Sequence, residues 1–207
     1  PGKGALTDEI LIHQPKKFSL IEKDANLAQQ LKLKYSSKKN IKIYNEDILN
    51  FNIEKILSRN SIIFGNLPYN ISSQILVKIL KFKNWPPKFE DLIFMFQKEL
   101  GDKIVGKYLS PYYGRLSIIT NYRLKIINSF LVSRNCFFPK PKVKSSVLEF
   151  IPKNTYNFFY IPSSINSYNR LSKHRHMFFQ TFRYYMVYFC TQFGYLQIIS
   201  LWKRIPT

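Results

Sequence analysis

Between Phe18 and Phe96 the sequence alternates short apolar runs with stretches of helical spacing, and this alternation limits the possible folds most. Phe18-Ser19-Leu20-Ile21 reads as a strand ending at Glu22. Ala25 to Tyr35 follows, with Leu27, Leu31 and Tyr35 on one side of a helix. Ile41-Lys42-Ile43-Tyr44 alternates as a strand does and ends near Asp47. Ile62-Ile63-Phe64 is a short buried strand reaching Gly65 and Asn66. Ser72 or Ser73 is expected to cap the next helix, with Ile75, Leu76, Ile79 and Leu80 facing the core. Leu92 to Phe96 is another apolar run, and a helix is expected from about Lys98. A helix at Gly114 to Tyr122 and strands at Leu124 to Val132 and Ser145 to Ile151 complete the pattern. Strands alternating with helices imply an α/β fold with a parallel sheet.

Such sheets bind ligands at the carboxyl ends of their strands. Glu22, Asp47 and Asn66 each stand just past a predicted strand end, so the three should share one rim. Polar residues are common at strand ends, and one alone would mean little. Three in succession behind a glycine loop point to a site.

The chain carries 32 Lys and Arg against 12 Asp and Glu, a formal net charge of +20. A polyanionic partner, nucleic acid first, is the expectation. Bias toward residues with A/T-rich codons offers a rival source for part of that charge. The pairs Lys16-Lys17 and Lys38-Lys39 and the trio Lys140, Lys142 and Lys144 are candidate phosphate contacts, or simply solvated surface. Cys136 and Cys190 are too few for a disulfide scaffold and suggest a reducing compartment. With three His, they make no convincing metal site.

Pro1 to Gln14 has no apolar core run of a signal peptide. The chain opens on Pro1-Gly2-Lys3-Gly4-Ala5-Leu6-Thr7, a glycine loop with no strand before it, so a first strand is expected to be missing. After Glu149 there is no acidic residue. Tyr184 to Trp202 is uncharged and would just suit a membrane span. Thr191, Gln192, Gln197 and Ser200 weigh against that, so a degenerate tail and no membrane contact are expected.

Glycines let a backbone approach a ligand closely, and in this loop a helix N-terminus follows Gly2 and Gly4. Glu22 lies 18 residues beyond Gly4. An acid at that distance, at the end of the next strand, can accept hydrogen bonds from both ribose hydroxyls of a nucleoside. An adenosine-containing cofactor follows, either a dinucleotide or S-adenosylmethionine, and Asp47 could accept from its adenine amine. Asn66-Leu67-Pro68-Tyr69 separates the two. Hydride transfer has no use for this tetrad, whereas methylation of an exocyclic amine does. The N6 lone pair of adenine is delocalised into the ring. Acceptors on its two hydrogens, the Asn66 side-chain oxygen and the Leu67 carbonyl, push the nitrogen toward a tetrahedral geometry. Pro68 fixes the turn, and Tyr69 offers a face for a flipped-out base.

Asn66-Leu67-Pro68-Tyr69-Asn70-Ile71-Ser72 resembles the signature of the small-subunit ribosomal RNA adenine dimethyltransferase family. Pro1 to Thr7 resembles its cofactor loop without the opening acid and first glycine. Gln97-Lys98-Glu99, Tyr113-Gly114-Arg115-Leu116-Ser117 and Phe137-Phe138-Pro139-Lys140-Pro141-Lys142-Val143-Lys144-Ser145 resemble three further blocks in the same order. The resemblance implies a Rossmann-like methyltransferase sheet, normally of seven strands, over residues 1–152. It implies a small helical C-terminal region over residues 153–207. It also implies S-adenosylmethionine as donor and N6 of two adjacent adenosines near the 3′ end of small-subunit rRNA as acceptors. By resemblance Gly2, Gly4, Glu22 and Asp47 bind the cofactor, Asn66 lies between cofactor and target, and Phe137 closes the target pocket opposite Tyr69. A monomer acting in the cytoplasm during ribosome biogenesis is expected.

Two departures bear on this reading. The missing first strand normally stands at the centre of the sheet, and its loss should leave two unpaired edges and a hole in the core. Beyond Arg170 the family's arginine-rich helix is replaced by Phe178-Phe179-Gln180-Thr181-Phe182-Arg183-Tyr184-Tyr185, so a weakened RNA face and impaired activity are expected of this chain. The rivals are a large-subunit rRNA adenine methyltransferase, which Leu67 and Asn70 disfavour, and a non-catalytic RNA-binding assembly factor on the same fold.

Overall fold

The computed structural model describes residues 1–137, 140–154 and 198–203. In chain order the elements are α1 (Ala5–Ile12), β1 (Phe18–Glu22), α2 (Ala25–Lys34), β2 (Ile41–Asn45), β3 (Ser61–Asn66), α3 (Ser72–Leu80) and β4 (Phe89–Gln97). They continue with α4 (Lys98–Val105), α5 (Arg115–Arg123), β5 (Leu124–Val132), β6 (Ser145–Pro152) and β7 (Ile198–Lys203). One sheet runs in the order β2-β1-β7-β3-β4-β6-β5. β1 pairs with β2 and β3 with β4 in parallel, while β6 and β7 run antiparallel to their neighbours. The sheet is therefore mixed rather than parallel throughout.

β7 corrects the expected hole. It lies between β1 and β3, with Leu201 opposite both Ser19 and Ile63. Its backbone completes both ladders, so neither inner edge is left unpaired. The cause is the cost of burying unbonded N–H and C=O groups, which any chain of suitable length and pattern can relieve in either direction. Residues 198–203 thus belong to the sheet and not to a separate helical region. The remainder of the uncharged stretch 184–202, and the replacement of the arginine-rich helix, fall outside the described residues. Among those described, no helix is long and apolar enough to cross a membrane.

Side chains of β3 and β4 alternate between two apolar layers, as the pleat demands. Ile63, Leu92, Phe94 and Phe96 face Ile75, Leu76 and Ile79 of α3 and Ile104 of α4. Ile62, Phe64, Ile93 and Met95 face Leu6 and Ile10 of α1 and Leu31 and Tyr35 of α2. Burial on both faces explains why these strands read as continuous apolar runs. Asp24 caps α2, its carboxylate accepting from the Leu27 N–H at 2.9 Å. The expected serine cap of α3 is not made: Ser72 is the first helical residue, and its hydroxyl donates to the Tyr69 carbonyl at 3.1 Å. That bond ties the helix back to the turn before it.

Candidate active site

The carboxyl ends of β1, β2 and β3 form one rim. Glu22 closes β1 and is 5% exposed. Its carboxylate accepts from the Gly2 N–H and the Asp24 N–H, both at 3.0 Å, and pairs with the Pro1 ammonium at 3.1 Å. Burial holds that ammonium's pKa below its ordinary value, against the raising effect of Glu22. The glycine loop is thereby folded onto the acid 20 residues further on. Gly4 stands at the N-cap of α1 with φ 85°, a conformation that favours glycine. Its carbonyl accepts from the Tyr35 hydroxyl at 3.1 Å, which anchors the loop to α2.

Asp47 follows β2. Its carboxylate pairs with Lys23 at 2.8 Å and accepts from the Leu49 N–H at 2.9 Å. These contacts, the Lys23 bond foremost, hold its carboxyl below the usual carboxylate range. Asn66 is the last residue of β3, lies between Met95 of β4 and Ile198 of β7 in the sheet, and is buried. The chain then turns through Leu67 and Pro68, and the Ile71 N–H donates to the Pro68 carbonyl at 3.1 Å. A side chain at Gly65 would meet Leu67 and Phe94 within 2.8 Å, so glycine is required where the strand enters the turn.

Glu22, Asp47, Asn66, Leu67 and Pro68 line a single cleft of about 60 Å³, with Pro1 at its edge and Ile21, Ile48, Ile71 and Ile75 as its apolar wall. Carboxylates at one side and an apolar wall at the other suit a nucleoside, whose ribose is polar and whose base is flat and apolar on its faces. Glu22 offers about four lone-pair sites, and the structure fills three of them. Sequence reasoning missed the apolar wall. Its signal was faint, since Ile48 and Ile21 differ from other core residues only in standing beside predicted polar strand ends.

Tyr69 and Phe137 lie outside that cleft. Tyr69 is half-buried, and its hydroxyl shares a 2.7 Å hydrogen bond with Ser145 at the start of β6. Phe137 packs, half-buried, against the apolar layer beneath α1 and α2. Phe138 and Pro139 are outside the described residues. Ser145 was also missed as a partner of Tyr69, although it closes the last of the five motif blocks. Of the three lysine groups, all exposed, only Lys140, Lys142 and Lys144 stand at this rim, because β6 begins there opposite Gln97. Lys16-Lys17 and Lys38-Lys39 precede β1 and β2 and lie toward the opposite end of the sheet.

A family model described as "Ribosomal RNA adenine dimethylase" matches residues 1–181. Curated relatives named "Ribosomal RNA small subunit methyltransferase A" include one from Pelagibacter ubique, 41% identical over 176 residues, covering 83% of this chain and 64% of the relative. Another, from Malacoplasma penetrans, is 38% identical and covers 76% of this chain and 56% of its own length. The chain thus spans somewhat less than two thirds of these relatives. Among solved structures, a dimethyladenosine transferase from Plasmodium falciparum superposes with a TM-score of 0.63 at 28% identity, covering 73% of this chain and 53% of its own. The 23S rRNA methyltransferase ErmE gives 0.60 at 28% identity, covering 74% and 59%.

Proposed function

The chain belongs to the ribosomal RNA adenine dimethylase family, and from that premise we propose that it transfers methyl groups from S-adenosylmethionine to N6 of two adjacent adenosines of small-subunit rRNA. The observation that carries this reading is the convergence of Glu22, Asp47 and the Asn66-Leu67-Pro68 turn on one cleft. Small-subunit names among relatives at 36–41% identity favour that substrate over large-subunit rRNA.

Glu22 accepts the ribose hydroxyls, Asp47 the adenine amine, and Ile48, Ile71 and Ile75 hold the base between apolar surfaces. Gly2 and Gly4 shape the loop that covers the cofactor. When bound, the cofactor supplies an electrophilic methyl group on a sulfonium, a good leaving group. Asn66 and the Leu67 carbonyl hold the two amine hydrogens of the target, aim its lone pair and fix the approach distance. Tyr69, oriented by Ser145, stacks on the flipped base, with Phe137 closing the pocket from the other side. No strong base is required, because the amine loses its proton after attack. The protein works as a monomer in the cytoplasm, with Lys140, Lys142 and Lys144 on rRNA phosphates.

Labelled methyl transfer to unmethylated small-subunit particles tests this. N6,N6-dimethyladenosine among the digested nucleosides is the expected product. RNA binding with neither cofactor affinity nor transfer would identify an assembly factor instead.

A further inference from the structure

The loop joining α4 to α5 turns four large side chains toward solvent: Tyr108 is 75% exposed, Leu109 86%, Tyr112 45% and Tyr113 42%. This loop is ordered by its own backbone. The Ser110 N–H donates to the Lys107 carbonyl at 2.9 Å and the Tyr113 N–H to the Ser110 carbonyl at 3.0 Å. Leu109 takes φ 68°, a left-handed conformation that a leucine rarely adopts. Gly106 is buried where a Cβ would come within 2.6 Å of the Tyr112 backbone, so the loop can double back only there. Tyr108 and Tyr113 meet edge to face, centroids 5.7 Å apart. A fixed backbone that displays aromatic rings is unlike an ordinary solvent loop.

Its location gives the patch a partner. α4 begins where β4 ends, at the same rim as Asn66, and the Lys98 N–H donates to the Lys144 carbonyl at 2.9 Å. Tyr112 stands close enough to Lys98 for its charge to act on that ammonium. The loop is flanked by exposed Lys107 and Arg115, and exposed Lys144 stands across from it. Exposed aromatic faces set among cations suit unpaired nucleotides, whose bases stack while their phosphates meet Lys and Arg.

We propose that Tyr108 and Tyr112 form a stacking platform for single-stranded RNA beside the target pocket, holding unpaired nucleotides next to the adenosine that is modified. Lys107 and Arg115 neutralise the phosphates of those nucleotides. The platform rests on the rRNA methyltransferase reading and adds a sequence-tolerant grip on its substrate. The loop lies beyond the cleft of Glu22 and Asp47, so its loss leaves cofactor affinity intact.

The test is binding of a short dye-labelled single-stranded RNA, and of the same sequence as a duplex, to the full chain. Alanine scanning of stacked bases elsewhere implies a loss of roughly five- to a hundredfold per base. Tyr108→Ala with Tyr112→Ala should weaken single-strand binding at least fivefold and leave the salt slope unchanged. Tyr108→Phe with Tyr112→Phe should bind as the parent does, which also controls for folding. Lys107→Gln with Arg115→Gln should instead reduce the salt slope by about two. Alanine variants that bind single-stranded RNA within twofold of the parent would overturn the platform and assign the patch to a protein contact. An equal loss with the phenylalanine pair would overturn it as well. Failure of the underlying reading shows separately: stacking-dependent RNA binding without N6,N6-dimethyladenosine removes the methyl transfer alone. Methylation that persists with unchanged RNA affinity in the alanine pair removes the platform alone.

Discussion

Gly65→Ala should damage both stability and turnover through one added methyl group. The new Cβ would stand 2.6 Å from Leu67 Cδ2 and 2.7 and 2.8 Å from Phe94 Cε1 and Cδ1. Carbon atoms pack at about 3.5–4.0 Å, so the neighbours must yield by about 1 Å. Neither can easily do so. Leu67 is 3% exposed and Phe94 fully buried, with Phe94 packed edge-on against Phe96 at 6.0 Å. Overpacking of this kind costs about 1–3 kcal/mol, which for a domain of this size lowers the melting temperature by about 2–12 °C. The movable partner is Leu67, whose carbonyl is assigned to the target amine. A displacement of about 1 Å there can cost about a hundredfold in rate. Calorimetry and labelled-methyl transfer at saturating S-adenosylmethionine read the two effects. Leu67→Ala opens space on one side of the clash, so the Gly65→Ala penalty should shrink by about 0.5 kcal/mol or more in that background. A melting temperature within a degree of the parent together with unchanged turnover would refute the close packing behind the tetrad.

Glu22→Ala should weaken S-adenosylmethionine roughly ten- to a hundredfold, the worth of hydrogen bonds to a charged group, with little change in turnover at saturation. Asn66→Ala should do the reverse; calorimetric titration and single-turnover kinetics separate them, and equal effects from both variants would reject the division of roles. Lys23→Met should raise the Asp47 carboxyl toward the ordinary value, read by carbon NMR titration. Because the folded Asp47 pKa is depressed, its stabilising contribution is complete above the unfolded value near 3.9 and is lost as pH falls through the folded value. Lys23→Met should therefore lower the urea midpoint at pH 6, and the difference should vanish in strong acid. Trp85 Nε1 donates to the Lys153 carbonyl at 2.8 Å under the Arg123 guanidinium. Trp85→Phe should cost about 1–2 kcal/mol in denaturant unfolding by removing that donor, and no measurable loss would contradict the bond.

Much of the candidate site was legible because its signals are local. Strand periodicity set the ends at Glu22 and near Asp47, and the Asn66-Leu67-Pro68 turn needs only its own residues and Gly65. Side-chain partners between distant elements were not legible. Nothing near Tyr69 indicates that Ser145, 76 residues away, holds its hydroxyl. Nothing near Phe137 sets it against the α1 layer. The α3 cap illustrates a closer miss: serine propensity marked Ser72 as a cap, but its hydroxyl is better used on the Tyr69 carbonyl.

By itself the sequence determined the α/β class, the rim of strand ends and the residues that line the cleft, because each follows from period, turn chemistry and burial within a few positions. Only the tertiary structure decided how the centre of the sheet is filled. β1 and β3 both present backbone groups that burial forbids leaving unpaired, and Ile198–Lys203 satisfies them antiparallel to both. A six-residue apolar run carries no mark of its partner or direction, since ladder hydrogen bonds are the same for every residue except proline. The slot it fills is made by strands well over a hundred residues earlier in the chain, and that slot exists only once the rest of the sheet has formed.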